Sequence, residues 1–302
     1  MNIQTKLAII VISVVIPLSS LAVYGTNPNT ESTSPENSKL QVISSFNPLH
    51  EFAQNVGQDK VDVTLLVPVG VEPHDWEPTI KDVQKMQASD LIIINGIGFE
   101  NWVDKLDDNN YQGTIIDTSD GILAKKSQED EYDHESGDPH IWLNPVYAKI
   151  QVQNIADAFS KHDPQNVQFY QSNAESYIEE LNLLDSQIRN DLSNCNSDFI
   201  AFHDAFSYFA DEYGLHQHTI ISSTDSHGEA TAKKLESVIT TAKELNIKII
   251  FSKETVDART SQTIAHEIDG KVLVLSSLEI ASDGTYIEKM NQNLENLKEA
   301  LC

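Results

Sequence analysis

The chain has 302 residues, enough for about two ordinary domains and for real hydrophobic cores without help from metals or disulfides. An apolar share of 40%, with 12 Gly and 10 Pro, fits a globular chain and excludes fibrous or disordered classes. Against 20 Lys plus Arg stand 46 Asp plus Glu, a formal net charge of −26; such a surface repels nucleic acid and anionic lipid and suits a cation as partner.

The first six residues carry one lysine, and residues 7–24 are uncharged and mostly apolar. This is the shape of a signal peptide or N-terminal anchor over 1–26. No Cys follows the run, which excludes a lipid-attached cysteine at a processed N-terminus. Residues 27–38, rich in Asn, Ser, Thr, Pro and Glu, read as a flexible spacer. The rest of the chain is therefore expected outside the cytoplasm, periplasmic or at the cell surface.

From residue 39 the pattern is α/β. Short apolar or β-branched runs at 40–45, 61–67, 91–94 and 114–116 predict four strands, with helices near 48–56, 79–88 and 102–106. The unbroken run Leu91-Ile92-Ile93-Ile94 suits a parallel strand covered on both faces. A second set of strands is expected at 199–202, 219–221, 248–251 and 271–275, with helices at 205–213, 229–244 and 285–301. Between the sets, Pro164 opens a stretch in which Val167, Tyr170, Ala174, Tyr177, Leu181, Leu184, Ile188 and Leu192 recur every three to four residues. That spacing predicts one amphipathic helix of about 28 residues, roughly 42 Å long. The expected organisation is an N-terminal lobe at 39–163, a stiff linking helix at 164–193 and a C-terminal lobe at 194–302. Each lobe would hold a parallel sheet of about four strands. Residues 125–137 carry five carboxylates and His134 and predict a solvated acidic loop. The two cysteines, Cys195 and Cys302, lack the short spacing of a metal motif. Outside the cytoplasm they fit either one disulfide, tying the last residue to the middle of the chain, or two free thiols.

Three histidines stand out by position. His74 follows the second strand, His140 follows the fourth, and His203 ends the strand at 199–202. All three would sit beyond the carboxyl ends of parallel strands, where open α/β sheets bind ligands, and together they would bridge the cleft between lobes. His74 and His140 each follow a Pro and precede, two residues on, Trp76 and Trp142, which suits rigid loops aiming an imidazole. Three neutral imidazoles favour a late first-row divalent ion, zinc foremost, over calcium or magnesium, which want oxygen ligands. His50, His162, His216, His218 and His266 lack this setting; His227 also follows a strand and is a lesser cleft candidate. There is no His-Glu-x-x-His arrangement, nucleophile motif, dinucleotide fingerprint or phosphate loop, so a hydrolase or hydratase built on a three-histidine zinc is a remote alternative.

The same residues carry a family resemblance. Residues 70–78 resemble the Gly-x-x-Pro-His-x-(Tyr/Trp)-Glu-Pro loop, and residues 138–145 resemble the Asp-Pro-His-x-Trp-Leu-(Asp/Asn)-Pro segment, of the metal-binding proteins of zinc and manganese ABC importers. Residues 203–215 are similar to that family's third segment, and Gly284-Thr285-Tyr286 with Met290 and Asn293-Leu294 to its closing helix. The resemblance implies two four-stranded lobes around one long helix, with His74, His140 and His203 as metal ligands. It also implies a protein that hands its ion to a membrane permease, and a monomer is expected. His rather than Glu at 203 points within the family to zinc, with manganese or iron the alternative.

Two departures from the family pattern bear on the site. Where relatives show Phe-x-Glu, this chain has Phe251-Ser252-Lys253, with Glu254 one step later. Where many relatives place an aspartate ligand, it has Leu275-Ser276-Ser277-Leu278. The fourth position is therefore open among water, Glu279, Glu72, Glu254 and Ser276. Asp204 or another nearby carboxylate is the candidate to hold the far nitrogen of an imidazole.

Overall fold

The computed structural model describes residues 39–107, 111–125, 137–221, 230–254 and 258–302. The leader and spacer, His134 with most of the acidic stretch, and His227 lie outside the described residues. Short apolar runs become the strands of two all-parallel sheets. The first holds β1 (Leu40–Ser44), β2 (Val61–Leu65), β3 (Leu91–Ile94) and β4 (Thr114–Asp117) in the order β2-β1-β3-β4. The second holds β5 (Asp198–His203), β6 (His216–Ile221), β7 (Ile249–Ser252) and β8 (Lys271–Val274) in the order β6-β5-β7-β8. In each sheet the strand order reverses beside the first strand, the switch point at which open α/β sheets make their ligand crevice.

Alternation along the strands assigns side chains to two faces. Val42, Leu91, Ile93, Phe199, Ala201 and Phe251 point into one core shared by both sheets, whereas Ile43, Ile92 and Ile94 serve an outer layer of the first sheet. Ile200, Phe202 and Ile250 do the same for the second. Both faces are therefore apolar, which is why the strands read as continuous hydrophobic runs. The edge strand β6 starts at His216, earlier than expected, because an edge position tolerates the polar His216-Gln217-His218 start that hid it.

Nine helices cover the sheets among the described residues: α1 (Asn47–Gly57), α2 (Ile80–Gln87), α3 (Asp104–Asp107), α4 (Pro145–His162), α5 (Val167–Leu192), α6 (Ser207–Tyr213), α7 (Ala232–Glu244), α8 (Arg259–Glu267) and α9 (Tyr286–Leu301). Their starts follow local chemistry. Thr79 with Asp82 and Thr285 with Glu288 form capping boxes for α2 and α9. Asn144 caps α4 through its side chain, with Pro145 at the first helical position. At the end of α1, Gly57 is required by a close approach, since a Cβ there would lie 2.0 Å from a methyl of Val61. The sequence pattern misses α8, a polar helix that buries only Ser261, Ile264 and Ala265.

The long helix is present but begins later than expected. Pro164–Asn166 form a 3-10 turn, and the α-helix runs for 26 residues from Val167. Tyr170, Ala174, Tyr177, Leu181, Leu184, Ile188 and Leu192 are buried, while Val167, in the first turn, is exposed. Nor is α5 a bare connector, because it lies against α1, α4 and α9 and its apolar stripe belongs to the shared core. Residues from Lys39 to Cys302 consequently form one compact unit. Polar contacts stitch the two sheets further: the Tyr286 hydroxyl donates to the Trp142 carbonyl at 2.7 Å, and the Tyr286 amide donates to the Glu51 carboxylate. A disulfide joins Cys195, just past α5, to Cys302, just past α9. Among the described residues no helix is long and apolar enough to cross a membrane.

Candidate metal centre

Each site residue is delivered by a segment leaving the carboxyl end of a strand. The segment after β2 carries Pro68, Pro73 and Pro78 and makes two tight turns, Val71 amide to Pro68 carbonyl at 3.1 Å and Trp76 amide to Pro73 carbonyl at 3.3 Å. Prolines at these positions reduce the entropy lost in fixing the loop. Trp76 packs edge-on against Trp102, and the ring of His74 against Phe99. His140 precedes the 3-10 turn Ile141–Leu143 and is fully buried, with Trp142 beneath it at 5.1 Å between ring centroids. His203 is the last residue of β5, and Glu279 follows β8.

The backbone that presents Glu279 is unusual. Leu278 has φ of +60°, the left-handed region that a branched side chain rarely occupies. Neighbouring contacts hold it there. The Leu278 amide donates to Ser276 Oγ at 3.1 Å, Ser276 is clamped by the Asn293 side chain through both its amide and its carbonyl, and the Ser277 carbonyl accepts from Trp142 Nε1 at 2.8 Å. Strain retained by so many constraints is characteristic of ligand sites.

His74, His140, His203 and Glu279 bring one ligand atom each within 4.8 Å of the others. Oε1 of Glu279 lies 3.6 Å from Nε2 of His74, 3.4 Å from Nε2 of His140 and 3.5 Å from Nε2 of His203. The Nε2 atoms of His74 and His140 are 3.3 Å apart. Ligands at about 2.0–2.1 Å from a tetrahedral zinc are separated by roughly 3.3–3.4 Å, so these four edges already have nearly the length the ion would impose. His203 Nε2 and Glu279 Oε1 are buried and make no hydrogen bond. Buried polar atoms are normally satisfied, and a shared cation would satisfy both.

The electrostatics separate the members of the cluster. Burial pushes the His203 imidazole down to about 4, so it is neutral and ready to donate a lone pair. Burial also opposes protonation of His140, but its hydrogen bond to Asp138, the Asp138 charge and Glu279 together push it up to about 9. Although burial alone would raise the Glu279 carboxyl, Lys253 and the histidines hold it well below the usual range. Asp138 is ionised despite its burial because His140 and Ser207 donate to it.

The candidates for the fourth position thus part company. Glu279 is in the cluster. Glu72 is turned away onto Lys253 at 2.6 Å, and Glu254 and Ser276 pair with each other at 2.6 Å. The carboxylate that joins the imidazoles stands three residues after Ser276, at Glu279. On the far side of the imidazoles, the nearby carboxylate that holds a ring nitrogen is Asp138, on His140; Asp204 accepts from Gln217 Nε2 at 3.0 Å. Asp138 opens the Asp-Pro-His segment, two residues before the histidine. Trp142 is a core residue with no exposed surface. His50 bonds Ser44, and His218 bonds Asp198.

Comparison with known proteins agrees with this geometry. A family model described as the periplasmic zinc-uptake complex component A, ZnuA, matches residues 42–300. The chain is 37% identical over 299 residues to the high-affinity zinc uptake system protein ZnuA of Bacillus subtilis, covering 93% of each. It is 34% identical over 279 residues to the zinc-binding lipoprotein AdcA of Streptococcus pneumoniae, covering 86% of this chain and 56% of that protein. A crystal structure of ZnuA superposes with a TM-score of 0.79 at 30% identity, covering 87% of this chain and all of the other. The chain belongs to the ZnuA family, the component A of zinc-uptake complexes.

Proposed function

We propose that this chain is an extracytoplasmic solute-binding protein that captures Zn²⁺ and delivers it to an ABC-type membrane permease. The observation that carries the reading is the convergence of His74, His140, His203 and Glu279, which bring one ligand atom each within 4.8 Å of the others, with four of the separations at 3.3–3.6 Å. Three imidazole nitrogens and one carboxylate oxygen match zinc's ligand preference, whereas manganese favours more oxygen and higher coordination. Family membership and the names of its relatives support the same assignment.

In this reading residues 39–163 and 194–302 are two jaws, the first contributing His74 and His140 and the second His203 and Glu279. Residues 164–193 brace them, so capture and release proceed by small movements of the site loops rather than by a wide hinge. Residues 1–26 direct export, and the protein works as a monomer. It binds its cargo and hands it on intact, with no catalytic step.

Metal analysis of the purified full chain tests this. One zinc per chain is expected, with zinc displacing manganese offered at equal concentration, and His203→Ala is expected to abolish tight binding. Unchanged tight zinc binding in His203→Ala would remove the assignment of the site. Manganese outcompeting zinc would move the protein to its manganese-binding relatives.

A further inference from the structure

The two oxygens of Glu279 have different neighbours. Oε1 faces the three imidazoles, whereas Oε2 lies 2.8 Å from Nζ of Lys253. Lys253 follows β7 directly and is only 3% exposed. Its ammonium also donates to Glu72 Oε2 at 2.6 Å, and Glu72 lies two residues before His74 in the segment after β2. A lysine is almost never buried without paired charges, and an apolar side chain of similar volume would often be no less stable. A cation held in contact with a cation site also repels the cargo. Neither stability nor affinity therefore accounts for Lys253, but control of Glu279 does.

We propose that Lys253 is a specificity-determining positioning residue that restricts Glu279 to one-oxygen coordination and so selects an ion content with four ligands. The proposal rests on the zinc-site reading above and deepens it. With Oε2 committed to the ammonium, the donor set closes at three nitrogens and one oxygen, which completes a zinc tetrahedron. Manganese prefers a larger, oxygen-richer shell, and the oxygen most easily added, the second one of Glu279, is withheld. Glu72 fixes the ammonium from the other lobe, so the restriction is in force when the loops around His74 are in place.

The test uses the full chain with Lys253→Met, the conservative Lys253→Arg, and the double variant Lys253→Met with Glu72→Gln. The double variant relieves the two carboxylates that the single change leaves facing each other, so it remains readable if the single variant does not fold. Two quantities are measured, the visible d–d spectrum of the Co²⁺-loaded protein and the zinc-over-manganese preference in competition. The wild type should give the intense bands of four-coordinate cobalt. Lys253→Met and the double variant should give the weaker bands of higher coordination, with the preference reduced about tenfold, the low end of what groups behind metal ligands control. Lys253→Arg should retain the wild-type spectrum and preference. A double variant with wild-type spectrum and preference overturns the proposal, as does a change confined to the single variant, which would make Glu72 the added ligand. A wild type that binds no zinc removes the site reading itself, and this role with it.

Discussion

Oδ1 of Asp138 lies 2.7 Å from Nδ1 of His140 and also accepts the backbone N–H of His140 at 3.0 Å. One buried carboxylate thus fixes both ends of the residue, and Nε2 is left directed at His74 and Glu279. Carboxylates behind metal-ligating histidines orient the ring and raise its basicity. Asp138→Asn keeps the shape but removes the charge, and zinc affinity is expected to fall about 10–100-fold. Competition against a zinc chelator of known strength measures this. A change below threefold would mean that packing by Trp142, not Asp138, sets the ring.

The pH dependence has a definite sign. In the metal-free protein His140 titrates near 9 and His203 near 4, against an ordinary 6.5. The raised His140 contributes stability that is complete below pH 6.5 and disappears as pH rises to about 9. The lowered His203 contributes stability present above pH 6.5 and lost as pH falls towards 4. Each is worth about 3 kcal/mol over its window, so the metal-free protein should be most stable close to pH 6.5. Zinc must displace the proton on His140, so near neutral pH about one proton is released per ion. Denaturant unfolding of chelator-treated protein across pH 5–9, and calorimetry in buffers of different ionisation enthalpy, measure the two effects. Zinc binding without proton release would contradict the His140 assignment.

The fold was legible because its signals are local: apolar runs of strand length, a three-to-four spacing along α5, and prolines around two histidines. The imidazoles could be named for the same reason, since position after a strand is a sequence property. The rest of the cluster depends on pairs distant along the chain. Glu279 was one of several carboxylates until Leu278 at positive φ turned it inward. Lys253 read only as a departure from a motif, because its partners lie 26 and 181 residues away. Asp204 is adjacent to His203 in the sequence, yet its side chain accepts from Gln217. Adjacency in sequence says little about side-chain direction at the end of a strand.

Trp142 couples the first lobe to the loop that carries Glu279. Its Nε1 donates to the Ser277 carbonyl, and its own carbonyl accepts from Tyr286. Trp142→Phe keeps an aromatic ring against Phe46 and Phe99 but leaves the Ser277 carbonyl without its donor. A buried unsatisfied carbonyl costs about 1–3 kcal/mol. Because that carbonyl lies two residues before Glu279, zinc affinity should fall with stability. Thermal unfolding with and without zinc separates the effects: a variant that loses stability but gains as much from zinc as the wild type would show the loop to be held by other contacts.

The disulfide between Cys195 and Cys302 closes a separation of 107 residues and joins the ends of α5 and α9, near where Asn196 bonds the Leu301 carbonyl through both its amide and its side chain. Cross-links of this span act mainly by restricting the unfolded chain, typically for about 2–4 kcal/mol. Neither cysteine belongs to the metal cluster, so reduction should lower the unfolding temperature while leaving zinc stoichiometry at one. The double variant Cys195→Ala with Cys302→Ala should match the reduced wild type and no longer respond to reductant. Thermal unfolding of metal-free protein with and without reductant, paired with metal analysis, makes the comparison. An unchanged unfolding temperature would mean that the hydrogen bonds of Asn196 already hold the C-terminus to the lobe.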